Sequence, residues 1–326
     1  VVVEQAPLNT DIFQRQLAGG SQSIRAGWSG LRMAGATARH MLVAAAADAW
    51  QVDASEITVD NGVISHTASD NSAGFGEMAS KAATMAVPEE VALKETSDFN
   101  IIGTDKRNVD GPNLVTGKPL FGIDIQEEGM MIAMIIHPPA FGLTYKSMDA
   151  EAVKSMPGIK DVFPIDVDPE NVEKQWSDGG AIAKLVAIVG DSTWQCMQAK
   201  KALKVEWEET STLESTEGHD EALTKLLNST SKKPARKDGD VASAFRKADK
   251  IIERTYSAPF LAHNTMEPMN FFADVNGERA LLNGPIQTPE FLEKTLASRL
   301  GLPVEKIDIK MTRMGGGFGR RLYGTL

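Results

Sequence analysis

The sequence has very little cysteine and no long apolar segment, and each absence excludes a class of protein. Its 326 residues include one cysteine, Cys196. The chain therefore cannot form an intrachain disulfide or provide the thiolates of an iron–sulfur cluster or zinc site. We expect Cys196 to be a buried apolar residue. No apolar run reaches the roughly 20 residues that span a bilayer, and the net charge of −10 argues against nucleic acid as a partner.

Length and composition predict a globular protein of two or three domains. The hydrophobic content of 42% and the charged content of 24% are ordinary for such proteins. The chain begins with three valines and no methionine, and it ends a few residues after its most informative motif. We therefore expect a fragment of a longer protein, in which any targeting signal would lie outside these residues.

A glycine-rich loop near the end of the chain is the strongest candidate for a binding site. Residues 314–321 place four glycines around Phe318, followed by Arg320 and Arg321, directly after a strand pattern at 307–311. Glycine allows positive φ, and successive amides in such a loop can form a nest for oxyanions. The two arginines add planar donors that suit phosphate. A tight turn in a β protein is the alternative, and the motifs described next favour a cofactor loop.

A second candidate loop, at residues 19–23, precedes the longest helical pattern, Ile24 to Trp50. Its amides and hydroxyls at a helix N-terminus could bind an anion. The alternative is a simple N-cap made by Ser21 or Ser23. Small residues along the helix, including Gly27, Gly30 and Gly35, predict tight burial of its surface.

Two further segments contain polar residues suited to a site. Gln287 lies in a turn before a predicted helix, and His263 and Glu267 lie four residues apart in segment 259–270. Pro268 biases Glu267 away from helical geometry. We therefore expect His263 and Glu267 to shape the wall of a site, and we predict no metal ligands.

Hydrophobic periodicity predicts most of the helices and strands. Helices are predicted at 24–50, 75–85, 150–156, 192–202, 217–228, 241–248 and 290–300. Strands are predicted at 118–125, 130–137, 162–167, 185–189, 203–207, 250–256, 271–275, 279–282 and 307–311, with a hairpin at 58–64.

The glycine loop resembles the Gly-Gly-Gly-Phe-Gly loop of the molybdenum hydroxylases, the xanthine dehydrogenase and aldehyde oxidase family. The common family version continues Gly-Lys-Glu, whereas the Arg320-Arg321 ending is similar to the isoquinoline 1-oxidoreductase β-subunit branch. Segments 115–124, 129–139 and 189–194 resemble the family's small α/β hammerhead domain.

The resemblance implies an α+β fold in which pieces of a molybdopterin-binding domain, residues 1–108 and 240–326, flank a hammerhead domain at 114–209. It implies that Gln287 contacts an oxo ligand of molybdenum. The implied cofactor-binding residues are Gly19, Gly20, Ser21, Gln22, Ser23, Gly316, Gly317, Phe318, Gly319 and Arg320. Arg321 is a further candidate partner for an anion.

The function implied is that of a molybdopterin-dependent oxidoreductase large subunit. It would hydroxylate N-heterocycles or aldehydes with water-derived oxygen, using molybdopterin cytosine dinucleotide. Electrons would pass to a separate small subunit with [2Fe–2S] clusters, because this chain lacks the cysteines. The family's general-base glutamate segment is absent, so we expect these residues alone to be inactive. The branch favours the periplasm over the cytoplasm.

Two other functions remain as alternatives. A cofactor-free binding or scaffold module could retain the same fold. An ordinary nucleotide-binding protein could use the glycine loop, but the sequence has neither a P-loop pattern nor a dinucleotide-binding fingerprint after a strand.

Overall fold

The computed structural model describes residues 3–167, 175–176, 184–229 and 235–322. It divides into two compact units, one formed by Ala18–Lys118 and the other by the residues before Ala18 together with the chain from Pro119 onward. Helices and strands are mixed along the sequence, which agrees with the predicted α+β class. The three domain boundaries given above remain predictions.

The first unit packs two helices against a small antiparallel sheet. Its elements in chain order are α1 (Ser23–Trp50), β1 (Thr58–Asp60), β2 (Val63–His66), β3 (Asn71–Gly74), α2 (Phe75–Ala82) and α3 (Gly111–Val115). Asn61 and Gly62 turn the β1–β2 hairpin with φ of 47° and 82°, as the Asn-Gly pair predicts. Ala46, Ile57 and Ile64 form the buried core.

Helix α1 has nearly the predicted bounds, but its burial differs from the prediction. Only Ala45 and Ala46 are buried, near its C-terminal end, while Ile24 is 82% exposed and Leu31 is 76% exposed. A Cβ added at Gly30 or Gly35 would meet nothing within 4 Å. The expected tight packing around these glycines is therefore wrong for the part of the chain that is described.

The second unit contains two sheets of different sizes before residue 210. Its elements here are β4 (Ile132–Ile136), β5 (Leu143–Asp149), α4 (Glu151–Lys154), β6 (Ile159–Asp166), β7 (Lys184–Gly190), α5 (Thr193–Ala202) and β8 (Lys204–Glu209). Strands β4, β7 and β6 form one antiparallel sheet, and β5 pairs with β8. Val162, Ile188 and Cys196 are in the buried core. The predicted burial of Cys196 is confirmed, and that burial raises the pKa of its thiol.

A third sheet in the second unit positions the site. The remaining elements are α6 (Thr216–Leu227), α7 (Val241–Lys247), β9 (Phe272–Val275), β10 (Ala280–Gly284), α8 (Pro289–Leu300) and β11 (Ile307–Met311). Strands β9 and β10, both predicted, pair as an antiparallel hairpin, and β11 lies parallel to β10. Because β10 and β11 are parallel neighbours, the turn after β10 and the loop after β11 leave the sheet at the same end. Leu282, Leu292 and Ile309 form the core between this sheet and α8.

Two predicted strands are absent and two strands were not predicted. Segment 118–125 turns instead, because the Asp124 carboxylate accepts the amides of Leu120 and Phe121 at 3.0 Å each. Segment 250–256 is exposed and has no ladder partner among the described residues. Strands β3 and β5 are present where the sequence pattern gave no clear alternation.

Candidate functional site

Gln287 and the glycine loop form one hydrogen-bonded unit at the end of the β10–β11 pair. The backbone amide of Gly319 donates to Gln287 Oε1 at 3.1 Å, and the Gln287 amide donates to the Arg321 carbonyl at 2.9 Å. The hydroxyl of Thr288 donates to the Leu322 carbonyl at 2.7 Å. Gln287 and Thr288 are both buried, so this connection lies inside the protein.

The glycines of the loop are required by close contacts and by backbone conformation. A Cβ at Gly317 would lie 2.6 Å from Gln287 Oε1, and one at Gly315 would lie 2.3 Å from the Cβ of Glu267. Gly316 and Gly319 have φ of 108° and 89°, a region that L side chains rarely adopt. The sequence motif therefore reflects the geometry of a loop packed against Gln287 and Glu267.

Phe318 is held in an unusual conformation at the tip of the loop. Its φ is 52°, in the left-handed region, and its side chain is 71% exposed. No hydrogen-bond acceptor for the amides of Gly316, Gly317 or Phe318 is present in the described part of the chain. Three successive amides with this backbone could bind oxygen atoms of a ligand, so the loop fits an oxygen-rich, anionic cofactor.

Arg321 does not serve as the anion partner that the sequence suggested. Its side chain is 1% exposed, and its Nη2 donates to Glu267 Oε2 at 3.2 Å. Burial lowers the pKa of Arg321, and the negative charge of Glu267 opposes that shift. The guanidinium is an internal partner of Glu267 and is not accessible to a phosphate.

His263 and Glu267 occupy different environments, although they are close in sequence. His263 is exposed, while Glu267 is buried and non-helical, as the following Pro268 predicts. In the described ranges, no group of three or more His, Cys, Asp or Glu side chains could hold a metal ion.

Arg320 brings a positive charge to the part of the molecule around His137. Burial lowers the pKa of His137, and the charges of Lys200 and Arg320 lower it further. His137 directly follows β4, in segment 129–139, where the sequence indicated no site residue. Neither periodicity nor a motif indicated that the charge of Arg320, in the glycine loop, affects the pKa of this histidine.

The loop at residues 19–23 leaves the start of α1 without a side-chain cap. Gln22 occupies the N-cap position and makes no side-chain cap bond, so the N-cap interpretation of Ser21 or Ser23 is wrong. Gly20 and Ser21 have φ of 63° and 52°. This loop belongs to the first compact unit and the glycine loop to the second. Their joint binding of a cofactor remains a prediction.

Comparison with known proteins shows which proteins this part of the chain resembles. Residues 222–325 match the family model described as molybdopterin cofactor-binding domain, a range that includes Gln287 and the glycine loop. Over this range the chain is similar to members of the molybdenum hydroxylase large-subunit family.

Two curated relatives extend over nearly all of the chain. The membrane-bound aldehyde dehydrogenase [pyrroloquinoline-quinone] of Gluconacetobacter polyoxogenes is 28% identical, over 94% of this chain and 40% of its own length. The isoquinoline 1-oxidoreductase subunit beta of Brevundimonas diminuta is 27% identical, over 99% of this chain and 45% of its own length. The chain thus spans less than half the length of these relatives.

Among solved structures, the chain is similar to quinoline 2-oxidoreductase from Pseudomonas putida 86. The identity is 20% and the TM-score is 0.47, with 72% of this chain and 32% of that chain covered. No helix in the described part of the chain combines the length and apolar character needed to span a membrane.

Proposed function

We propose that this chain is the cofactor-holding part of a molybdopterin-dependent oxidoreductase large subunit. The observation that carries the proposal is the bond between Gly319 and Gln287, at 3.1 Å, inside the matched cofactor-binding domain. It joins the two segments that the sequence assigned to the cofactor. The names of the two curated relatives specify an aldehyde and isoquinoline, which supports aldehydes or N-heterocycles as the substrate class.

In this proposal the residues of the chain bind and orient the cofactor. The amides of Gly316, Gly317 and Phe318 donate to its oxygen atoms, and the exposed ring of Phe318 packs against it. Gln287 Oε1 faces Gly319, so the amide nitrogen Nε2 is the end that can donate to an oxo ligand. Molybdopterin, when bound, supplies the redox chemistry of hydroxylation with water-derived oxygen.

The finer assignments belong to the same proposal. Arg320 and residues 19–23 contact the phosphates of a cytosine dinucleotide form of the cofactor. Residues 114–209 form the hammerhead domain, and electrons pass to a separate [2Fe–2S] subunit. The 326 residues alone do not turn over substrate, because the family's general-base glutamate segment is absent from them. We further propose a periplasmic location.

Metal analysis of the protein expressed from its complete reading frame tests the proposal. We expect about one molybdenum and one pterin per polypeptide, with oxidation of an aldehyde or an N-heterocycle when an electron acceptor is supplied. Absence of molybdenum together with absence of oxidation would favour the cofactor-free scaffold. Oxidation without molybdenum would favour a quinone cofactor, which the name of one relative specifies, and would also contradict the proposal.

A further inference from the structure

We propose that Glu267 and Arg321 act as positioning residues that fix which way the amides of the glycine loop point. Neither residue is exposed enough to contact a ligand, since Glu267 is 6% and Arg321 is 1% exposed. Their effect on the cofactor is therefore indirect. This inference rests on the proposed function, because the loop amides are proposed to bind the cofactor. Whether Glu267 and Arg321 orient those amides can be tested whether or not a cofactor binds.

Glu267 binds both the amide and the carbonyl of Gly315. The Gly315 amide donates to Glu267 Oε2 at 2.8 Å, and the Glu267 amide donates to the Gly315 carbonyl at 3.1 Å. Its other carboxylate oxygen, Oε1, accepts from Asn270 Nδ2 at 2.9 Å and from the Ile123 amide at 3.3 Å. Both oxygens of the carboxylate are thus engaged, which fixes the side chain.

Arg321, at the C-terminal end of the glycine loop, binds back to the start of the loop. Its Nε donates to the Gly316 carbonyl at 2.9 Å, five residues earlier in the chain. Its Nη2 donates to the Glu267 carbonyl at 2.9 Å and to Glu267 Oε2 at 3.2 Å. One guanidinium therefore binds the glycine loop and Glu267 at the same time.

These contacts determine the direction of the loop's amides because a trans peptide is planar. In such a peptide the N–H points opposite to the preceding C=O. The Gly315 carbonyl is bound by Glu267, so the Gly316 N–H points away from Glu267. The Gly316 carbonyl is bound by Arg321, so the Gly317 N–H points away from Arg321.

The pair thus turns two carbonyls inward and, as a consequence, two amides outward. These are two of the three amides that have no acceptor among the described residues. Without Glu267 and Arg321, the peptides after Gly315 and Gly316 could rotate, because glycine can adopt most backbone conformations. The loop would then lose the arrangement of donors that a cofactor needs.

Arg321→Lys is a useful variant because it separates the positive charge of Arg321 from the geometry of its guanidinium donors. Lysine keeps the positive charge for Glu267, but its single ammonium cannot reproduce the separate Nε bond to the Gly316 carbonyl. Glu267→Gln keeps the size of the side chain and an acceptor for Gly315, but leaves Arg321 without a compensating charge. We expect Arg321→Lys to be the milder change.

The experiment compares hydrogen exchange of residues 314–322 and molybdenum content in the protein expressed from its complete reading frame. Val162→Ala is the matched control, because it destabilises a separate buried core without touching the loop. We expect exchange of the loop amides to be at least about tenfold faster in Glu267→Gln than in a control of equal overall stability. Molybdenum content should fall in the same variant, with Arg321→Lys intermediate for both measurements.

Loop exchange and molybdenum content equal to those of the control would overturn the inference. Faster exchange with undiminished molybdenum would also overturn it, since the amides would then not need to be fixed. If the unsubstituted protein itself contains no molybdenum, the proposed function fails. In that case loop exchange no faster than in the control overturns the positioning role, and faster exchange supports it.

Discussion

The backbone amide of Gly319 donates a hydrogen bond to Gln287 Oε1 at 3.1 Å, although 32 positions separate the two residues. The turn after one strand and the loop after its parallel neighbour meet through this bond. It fixes the Gln287 side-chain oxygen against the glycine loop.

Substitution of Gln287 should separate its acceptor role from its donor role. Gln287→Met keeps the volume but leaves the Gly319 amide without an acceptor, so we expect the free energy of unfolding to fall by about 1–3 kcal/mol. Gln287→Glu keeps an acceptor oxygen but provides no amide donor. Denaturant unfolding and substrate oxidation should show that Gln287→Glu is the more stable of the two, while both lose oxidation activity. Full activity of Gln287→Glu would contradict a donor role.

Alanine at Gly317 should disturb the site through contact with Gln287. Its Cβ would lie 2.6 Å from Gln287 Oε1, so the glutamine must move. We expect destabilisation of about 1–3 kcal/mol, the usual cost of overpacking. Gly277→Ala is the control, because a Cβ there meets nothing within 4 Å. Equal unfolding midpoints for the two variants would show that the close contact does not exist in solution.

Two substitutions at Phe318 should distinguish its backbone strain from its ring. Phe318→Gly removes the left-handed strain, so we expect the free energy of unfolding to be unchanged or higher by about 1 kcal/mol. Phe318→Ala keeps that strain and also lacks the ring. If the ring packs against the cofactor, both variants should lose molybdenum to a similar extent despite different stabilities. Retention of molybdenum by both would exclude a role for the ring.

The charge of Arg320 should be detectable in the titration of His137. Burial is the larger cause that lowers the pKa of His137, and Arg320 and Lys200 add to it. We therefore expect Arg320→Met to raise that pKa, while leaving it below the ordinary value of 6.5. An NMR titration of the imidazole protons measures the change, with Lys310→Met on β11 as the control. An unchanged pKa in Arg320→Met would mean that the two side chains do not interact.

The same shift predicts how stability depends on pH. Because the folded-state pKa of His137 lies below the unfolded one, the unfolded chain binds the proton more readily. This group therefore lowers stability as the pH falls through the ordinary histidine value of 6.5, and has no effect well above it. The slope of unfolding free energy against pH should be smaller in His137→Gln. An identical slope would contradict the assignment.

The sequence predicted most helices and strands, because their apolar residues recur at the spacing of the face that each element buries. Strand β11 has the predicted bounds, and α1 begins one residue before its predicted start. The strand predicted at 250–256 is absent, because an apolar pattern does not show whether a partner strand is available. The pattern failed at 118–125 because the side chain of Asp124 provides a turn that competes with a strand.

The site was predicted only in part, and the physical reason is the range of its contacts. The meeting of Gln287 with the glycine loop follows from two adjacent parallel strands, which the order strand, helix, strand makes plausible. The pairing of Glu267 with Arg321 spans 54 positions and depends on tertiary packing that no local pattern encodes. Pro268 and the Arg-Arg ending were the available signals, and neither identified the partner.

The most direct test of the central claim is the location of molybdenum by anomalous scattering in crystals of the protein expressed from its complete reading frame. We expect a peak beside the Gln287 side chain and the amides of Gly316, Gly317 and Phe318. A molybdenum peak remote from both the glutamine and the glycine loop would contradict it.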